Sequence, residues 1–395
     1  MRAYFTTVWL LVALGIAHGQ QRTWTDSLDR KIEATMIRLE AQSVVLKLAN
    51  GNEVKYPLEK LSAADQKFAT EQAKAMATSA AVAANANAPA VSFDGSWPKR
   101  VTFSEDPEIK VITSDADAKS FIYESANYRY TSDVRLANSV VKGFAVLFEA
   151  THLYCRTLPI HLDGGSKHEG KFQIFLFAEY NDYVKAGGQQ GSAGVFTSNG
   201  GSRVLVPLDS LGVRKVGSGY AFDRDKANKT LPHELTHQLT PNAYFQKGAM
   251  GWFTEGTAEY IAATPYRSGI YNVQSNLRPI IEYVTAYGRG NTGGRALGKD
   301  IVLPPLKNFM LMDYAAFISN PQVNYGTSLF LTTYFFQMDG NGDAARMKNF
   351  LAALREGKSG EQALEKLLDG RSYEEVEKEF SKAWSRRGID FSFGK

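Results

Sequence analysis

The pattern of apolar and polar positions divides the chain into a short strand-rich segment, a polar connection and a long mixed segment. In the first segment, apolar and polar residues alternate at Ile32–Met36 and Val44–Leu48. The turn Asn50-Gly51-Asn52 joins the second run to the alternating residues Glu53–Tyr56. Alternation predicts strands, and an Asn-Gly pair between two strands predicts a hairpin.

The connection covers residues 71–92 and includes the run ATSAAVAANANAPA. It contains few large side chains and therefore cannot bury a core of its own. We predict that it is a linker, and that residues 93–395 form one large domain.

The large domain combines strand patterns with helix patterns. Strands are expected at Lys110–Thr113, Phe121–Arg129 and Phe172–Phe177, with a hairpin formed by Val195–Thr197 and Arg203–Leu208. Helices are expected at Val134–Tyr154, after Asp133 as N-cap, and from near Glu179, and the chain beyond Leu231 is mostly helical in pattern. Strands followed by helices predict an α+β fold with an antiparallel or mixed sheet and a helical C-terminal part.

Residues 1–19 have the pattern of a secretory signal peptide. One early arginine precedes an apolar run from Val8 to Ala17, and Ala17-His18-Gly19 supplies the small residues of a cleavage site before Gln20. The apolar run is short for a membrane span, which disfavours the alternative of an uncleaved anchor. We expect an exported protein (periplasmic, cell-surface or extracellular).

The net charge and the hydropathy of the chain disfavour nucleic acid and membranes as partners. The formal net charge is only +4 over 395 residues, which gives no field directed at nucleic acid or at a membrane surface. No stretch after residue 19 reaches the roughly 18 apolar residues of a membrane helix, so no stable membrane insertion is expected. Cys155 is the single cysteine, so no intrachain disulfide can form, and its apolar context favours a buried structural thiol. This composition points to a bacterial source.

Residues 20–70 carry a family resemblance. The run Arg22-Thr23-Trp24-Thr25-Asp26, the hairpin, and Leu58-x-x-Leu61-Ser62-x-x-Asp65 before a helix from Ala63 resemble the SLA homology domain one. The resemblance implies a small SH3-like β-barrel. Its ligand in exported proteins is unknown, and a passive spacer is an equal alternative to a specific binding module.

The strongest chemical pattern is His233-Glu234-Leu235-Thr236-His237, an H-E-x-x-H motif. On a helix, residues four apart lie one turn apart on the same face, so both imidazoles can reach one metal ion. Glu234 points in a neighbouring direction, where a carboxylate can act on water. Pro232 requires that the helix begin near Thr230 or be kinked there.

A catalytic zinc site needs a third protein ligand. Residues 252–260 read Trp-Phe-Thr-Glu-Gly-Thr-Ala-Glu-Tyr, which resembles the W-x-x-E-G-x-A-x-Y helix of gluzincins, the thermolysin-like and aminopeptidase N-like metallopeptidases. The resemblance implies a thermolysin-like zincin domain in which Glu255, after a return of the chain past Pro241, completes the site for one Zn²⁺ ion.

Two further residues are carried over from this resemblance. Glu259 lies one turn after Glu255 and would orient His233, unless it is a solvated surface glutamate. Tyr325, in Asn324-Tyr325-Gly326, would donate to the oxyanion, whereas Tyr334 has the pattern of a core residue. The hairpin at Gly194–Phe196 could offer an edge strand to a peptide, or be purely structural.

These residues predict zinc-dependent hydrolysis of a peptide or protein substrate, with Glu234 as the base. The G-x-M-E-N strand that binds a substrate amino terminus in aminopeptidase N-like enzymes is missing before His233, which favours an endopeptidase. Two alternatives remain open. One is a non-catalytic surface or matrix-binding protein, and the other is a zinc hydrolase that acts on a non-peptide bond.

Overall fold

The computed structural model describes residues 21–40, 43–48, 50–66, 68–69, 92–104, 106–198, 201–223, 230–286 and 294–394. The chain divides into two compact units, an N-terminal unit, Met1–Val82, and a C-terminal unit, Ala83–Lys395. The predicted signal peptide, residues 1–19, lies outside the described residues, as does all of the predicted linker except Ser92.

The N-terminal unit is an antiparallel sheet in the order β1-β2-β3-β4. Its strands are β1 (Gln21–Thr25), β2 (Lys31–Glu40), β3 (Ser43–Leu48) and β4 (Glu53–Pro57). The turn between β3 and β4 is closed by a hydrogen bond from Leu48 N–H to the Asn52 carbonyl at 2.9 Å. The three predicted strands and their hairpin are therefore confirmed. Trp24, Met36, Val44 and Leu46 form the buried core beneath them.

A closed barrel is not found in the described part of this unit. After β4, Pro57 leads into a 3-10 turn, Leu58–Lys60, and proline has no N–H with which to extend a strand ladder. The chain then returns to the end of β1 through an isolated bridge between Asp26 and Leu61. The described part of this unit is a four-stranded sheet followed by helical residues 63–66. It does not show closure into an SH3-like barrel.

The C-terminal unit contains a six-stranded sheet in the order β10-β11-β9-β8-β7-β6. Its strands are β6 (Lys110–Asp115), β7 (Ser120–Glu124), β8 (Tyr128–Ser132), β9 (Phe172–Phe177), β10 (Val195–Thr197) and β11 (Arg203–Pro207). The sheet is mixed, because β9 runs parallel to both β8 and β11 while the other pairs are antiparallel. The predicted strand at Phe172–Phe177 and the hairpin at Val195 are confirmed.

Two predictions in this region are wrong in detail. The single strand expected at Phe121–Arg129 is two antiparallel strands, β7 and β8, because the chain turns back between them. The helix expected at Val134–Tyr154 is α1 (Asn138–Thr157). Asp133 does not cap it, because its carboxylate accepts the Ala178 N–H at 2.9 Å at the end of β9.

The other elements of the C-terminal unit complete an α+β fold. The helices are α2 (Tyr180–Lys185), α3 (Thr230–Leu239), α4 (Trp252–Ala263), α5 (Leu277–Thr285), α6 (Leu306–Met310), α7 (Tyr314–Ser319), α8 (Pro321–Gln337), α9 (Ala345–Arg355), α10 (Gly360–Leu368) and α11 (Tyr373–Ser385). The small strands are β5 (Val101–Thr102), β12 (Val213–Val216), β13 (Gly219–Phe222), β14 (Tyr266–Arg267), β15 (Ile270–Tyr271), β16 (Asp300–Leu303) and β17 (Asp390–Phe393). None of the helices in the described ranges has the length and apolar character needed to cross a bilayer.

The sheet and the helices share one hydrophobic core. Helix α1 packs on the sheet through Phe144 and Phe148, whose rings meet Tyr130 edge-on at centroid distances of 5.3 and 5.2 Å. Helix α4 is buried along nearly its whole length. Buried and half-buried residues alternate along β9. One face of the sheet is therefore buried against the helices, and the other is partly exposed.

Candidate metal centre

Helix α3 carries the H-E-x-x-H motif. Leu235 and Leu239 are completely buried on its core side, and the helix gives way at Thr240 and Pro241 to a 3-10 turn, Asn242–Phe245. Pro232 lies in this helix, which is described as Thr230–Leu239; residues 224–229 lie outside the described residues, so a helix start near Thr230 stays a prediction.

Three side chains converge between α3 and α4. Nε2 of His233 lies 3.1 Å from Nε2 of His237, and Oε2 of Glu255 lies 3.2 and 3.1 Å from these two nitrogens. All three residues are less than a tenth exposed. Their ligand atoms are close enough together to hold one metal ion. A search of the described residues for such groups of His, Cys, Asp and Glu side chains finds these three.

Close packing of α8 against α4 fixes Glu255 in this position. Its neighbour Gly256 faces α8, and a Cβ added there would lie 2.4 Å from the Ser328 carbonyl oxygen and 2.3 Å from the Thr332 hydroxyl. Only glycine permits this approach of the two helices. The glycine after Glu255 is therefore required by packing.

Glu259 lies one turn further along α4 and is also buried. Its Oε1 is 3.1 Å from Nδ1 of His233 and accepts a hydrogen bond from Nη2 of Arg295 at 2.6 Å. Burial raises the pKa of Glu259, but the hydrogen bonds from His233 and Arg295 outweigh burial and lower it to about 2. Glu259 is therefore a buried anion beside His233, and the alternative of a solvated surface glutamate is wrong.

The protein groups around the triangle favour a positive charge inside it. Burial opposes ionisation of Glu255, but the neighbouring His237 and His233 hold the pKa of that carboxyl well below its usual range. Burial lowers the pKa of His233, whereas its contacts with Glu255 and Glu259 raise it well above 6.5. A proton or a metal ion between the three ligand atoms can supply this charge.

Glu234 faces a different direction from the two histidines. Its Oε2 accepts the Phe196 N–H of strand β10 at 2.7 Å. Burial raises the pKa of Glu234, although His233 and His237 oppose the shift. Because β10 is an edge strand of the six-stranded sheet as described, this hydrogen bond joins the motif glutamate to an edge strand beside the candidate ligands.

Tyr325 on α8 lies beside the triangle. Its ring stacks on that of His233 at a centroid distance of 6.0 Å, with 14° between the planes, and the guanidinium of Arg295 lies 4.8 Å from its ring centre. Tyr334 is a core residue as predicted, and its hydroxyl donates to Asp339 at 3.3 Å.

Two residues of this centre have no signal in the sequence. The Tyr314 hydroxyl donates to Oε1 of Glu255 at 3.0 Å, across 59 positions of the chain. Arg295 reaches Glu259 across 36 positions. Neither belongs to a spaced motif with its partner, so only the tertiary structure brings them to the site.

Comparison with known proteins bears on the N-terminal unit. The family described as SLA1 homology domain 1 matches residues 17–76, which include strands β1 to β4. No curated protein matches the chain.

Proposed function

We propose that the C-terminal unit is a zinc-dependent peptidase of the gluzincin type, with endopeptidase activity favoured. The observation that carries this proposal is the convergence of His233, His237 and Glu255 on one point with Glu234 beside them. Glu255 is recruited from a separate helix at the position that the W-x-x-E-G-x-A-x-Y resemblance implies.

The ligand triangle fits a zinc ion. Tetrahedral ligands at about 2.0–2.2 Å from zinc lie about 3.3–3.6 Å apart, and the three sides of the triangle measure 3.1 to 3.2 Å. Two imidazoles with one carboxylate are a common donor set of catalytic zinc. A zinc ion bound there supplies electrophilic activation of water and of a carbonyl oxygen.

Three ligands favour catalysis over a structural metal. Structural zinc sites usually close all four positions with protein atoms, often cysteine sulfur. Among the described residues, no fourth histidine, cysteine or carboxylate joins the triangle. Cys155 is buried next to Thr236, 4.0 Å from its hydroxyl. This set favours an enzyme over the alternative of a non-catalytic binding protein.

The surrounding side chains have separate roles in hydrolysis. Glu234 takes a proton from the attacking water and passes it to the leaving amine. Glu259 holds the Nδ1 proton of His233, so that Nε2 keeps its electron pair for the metal. Tyr325, next to His233, is placed to donate to the oxyanion of the tetrahedral intermediate.

In the described part of the sheet, β10 is the edge strand, and an edge strand can pair with an extended substrate. The Phe196 N–H points away from β11 and reaches Glu234, so this edge runs along the site. A peptide paired with this edge strand would have its peptide bonds close to Glu234. Since no G-x-M-E-N strand is present before His233, nothing of that kind captures a substrate amino terminus, which favours an endopeptidase.

The test is hydrolysis of a panel of quenched peptides by the purified protein, with and without a chelator. We expect cleavage that the chelator abolishes and zinc restores. Glu234→Gln should retain zinc and reduce turnover by about 10²-fold or more, whereas Glu255→Ala should lose zinc. Activity of Glu234→Gln at the wild-type rate would refute the role of the base.

The same panel separates the alternatives. A protein that binds zinc but cleaves none of the peptides, and instead hydrolyses ester substrates, would be a zinc hydrolase of a non-peptide bond. A protein without metal and without hydrolytic activity would support the non-catalytic reading. Metal analysis of the purified protein is the necessary first measurement.

A further inference from the structure

We infer that Tyr314 is a positioning residue that holds Glu255 as a one-oxygen metal ligand, an inference that rests on the zinc site proposed above. The two oxygens of the Glu255 carboxylate have different partners. Oε1 accepts the Tyr314 hydroxyl at 3.0 Å, and Oε2 faces the Nε2 atoms of His233 and His237.

Helix α7 presents Tyr314 from a fixed position. Phe317, one turn later, is completely buried, and its ring fills the space over Gly251, where an added Cβ would lie 3.0 Å away. The side chain of Asn324 donates to the Phe317 carbonyl at 2.6 Å. Asp313 caps the start of the helix by accepting a backbone N–H at 2.8 Å. Phe317 thus attaches α7 to α4 and α8, and the Asp313 cap stabilises its first turn, so the hydroxyl of Tyr314 is preorganised.

A hydroxyl in this position selects between two modes of metal binding. A carboxylate can bind a metal ion through one oxygen or through both. A hydrogen bond from a phenol to an ionised oxygen is charge-assisted and strong, so Oε1 of Glu255 is kept out of the triangle by Tyr314. Without this hydroxyl, both oxygens are free to turn towards the metal and fill the position that a catalytic site keeps open.

The rings of Tyr314 and Tyr325 both pack against Phe317, at centroid distances of 6.3 and 5.6 Å. Tyr314 therefore lies close to the proposed oxyanion donor as well as to a proposed metal ligand. Because its removal would disturb both, a loss of activity alone would not identify its role. Zinc affinity and metal geometry are the discriminating measurements.

The first test measures the zinc affinity of the full-length Tyr314→Phe protein by competition with a chromogenic chelator. We expect zinc to bind about 10- to 100-fold more weakly than in the wild type, the range found for residues that orient metal ligands. Tyr334→Phe is the matched control, because it removes a buried tyrosine hydroxyl that bonds to Asp339 and Glu379. It should leave zinc affinity unchanged.

The second test replaces zinc with cobalt(II), whose visible absorption reports coordination geometry. We expect the wild type and Tyr334→Phe to show the intense bands of a four-coordinate site, and Tyr314→Phe to show the weaker bands of a higher-coordinate one. The zinc-free forms of all three proteins should unfold at similar temperatures. A merely structural tyrosine would lower that temperature without changing the cobalt spectrum.

Equal zinc affinity and equal cobalt spectra for Tyr314→Phe and the wild type would overturn the inference while leaving the zinc proposal intact. A wild type that binds no zinc would overturn both. If Tyr314→Phe does not fold, Asp313→Ala tests the same link by loosening α7. Weaker zinc binding by Asp313→Ala would support the role of Tyr314, and unchanged binding would contradict it.

Discussion

At the scale of single residues, the metal centre depends on which atom of each side chain faces inward. His233 turns Nε2 to the triangle because Glu259 engages Nδ1. Glu255 turns Oε2 to the triangle because Tyr314 engages Oε1. In both cases an outer contact leaves one atom facing the triangle, so in the proposed metal site the outer partners would orient the candidate ligands.

A second residue-scale property concerns pH and lies away from the metal centre. Burial lowers the pKa of His152 from 6.5 to about 4, while Glu149 opposes the shift. Its ring lies against Tyr128 and Phe172 at centroid distances of 6.2 and 6.0 Å. Protonation is therefore easier in the unfolded chain than in the folded unit.

We predict that stability of the C-terminal unit falls as the pH decreases from about 6.5 to 4. The contribution of His152 is fully present above about pH 6.5 and amounts to about 3 kcal/mol at 1.36 kcal/mol per pKa unit. Urea unfolding at pH 7 and pH 5 should show a loss of about 2 kcal/mol, because pH 5 is still above the folded pKa of about 4. His152→Gln should flatten this dependence, and His168→Gln, at an exposed histidine, should not. Equal dependence in both variants would contradict the prediction.

At the scale of elements, the site is built where α3, α4 and α8 meet. Helix α3 supplies two candidate ligands and the proposed base, α4 supplies the third candidate ligand and Glu259, and α8 supplies Tyr325. The distance between α4 and α8 is set by Gly256. A change in this packing would shift Glu255 relative to the histidines.

We therefore predict that Gly256→Ala destabilises the C-terminal unit by about 1–3 kcal/mol through overpacking, and weakens zinc binding as well. Chemical unfolding and zinc competition measure the two effects. Gly219→Ala is the matched control, since the nearest atom to an added Cβ there is 4.0 Å away. The explanation fails if Gly256→Ala is as stable as Gly219→Ala.

At the scale of the whole molecule, only the C-terminal unit is expected to depend on a metal ion for its stability. The N-terminal unit, which contains the match to SLA1 homology domain 1, is an antiparallel sheet around Trp24. All three candidate metal ligands lie in the C-terminal unit. The ligand of the N-terminal unit, its alternative role as a spacer, and export by residues 1–19 stay predictions.

We predict that zinc removal affects only the unfolding of the C-terminal unit. A ligand present at 1,000 times its dissociation constant stabilises the folded state by about 4 kcal/mol, so a chelator should lower one calorimetric transition and leave the other in place. His237→Ala should unfold at the chelated temperature with or without the chelator. A shift of both transitions, or of neither, would contradict this expectation.

The local pattern of the chain determined the elements whose signals are contained within a few residues. Strands β3 and β9, the hairpin β10–β11 and helix α3 follow from alternation, turn residues and the H-E-x-x-H spacing, because each depends on neighbours in sequence. The division of residues 121–129 into β7 and β8 was not predicted, although Ser125-Ala126-Asn127 interrupts the aromatic alternation where the chain turns.

Only the tertiary structure decided the outer half of the metal centre. Tyr314 and Arg295 reach Glu255 and Glu259 from far along the chain, and Asp133 is engaged by Ala178 where the pattern predicts a helix cap. A hydrogen bond between distant residues depends on how the helices and strands pack. The periodicity of side chains along one element does not specify that packing. The sequence by itself determined the candidate ligands and the candidate base, and the packing of α4, α7 and α8 decided which atoms those ligands present.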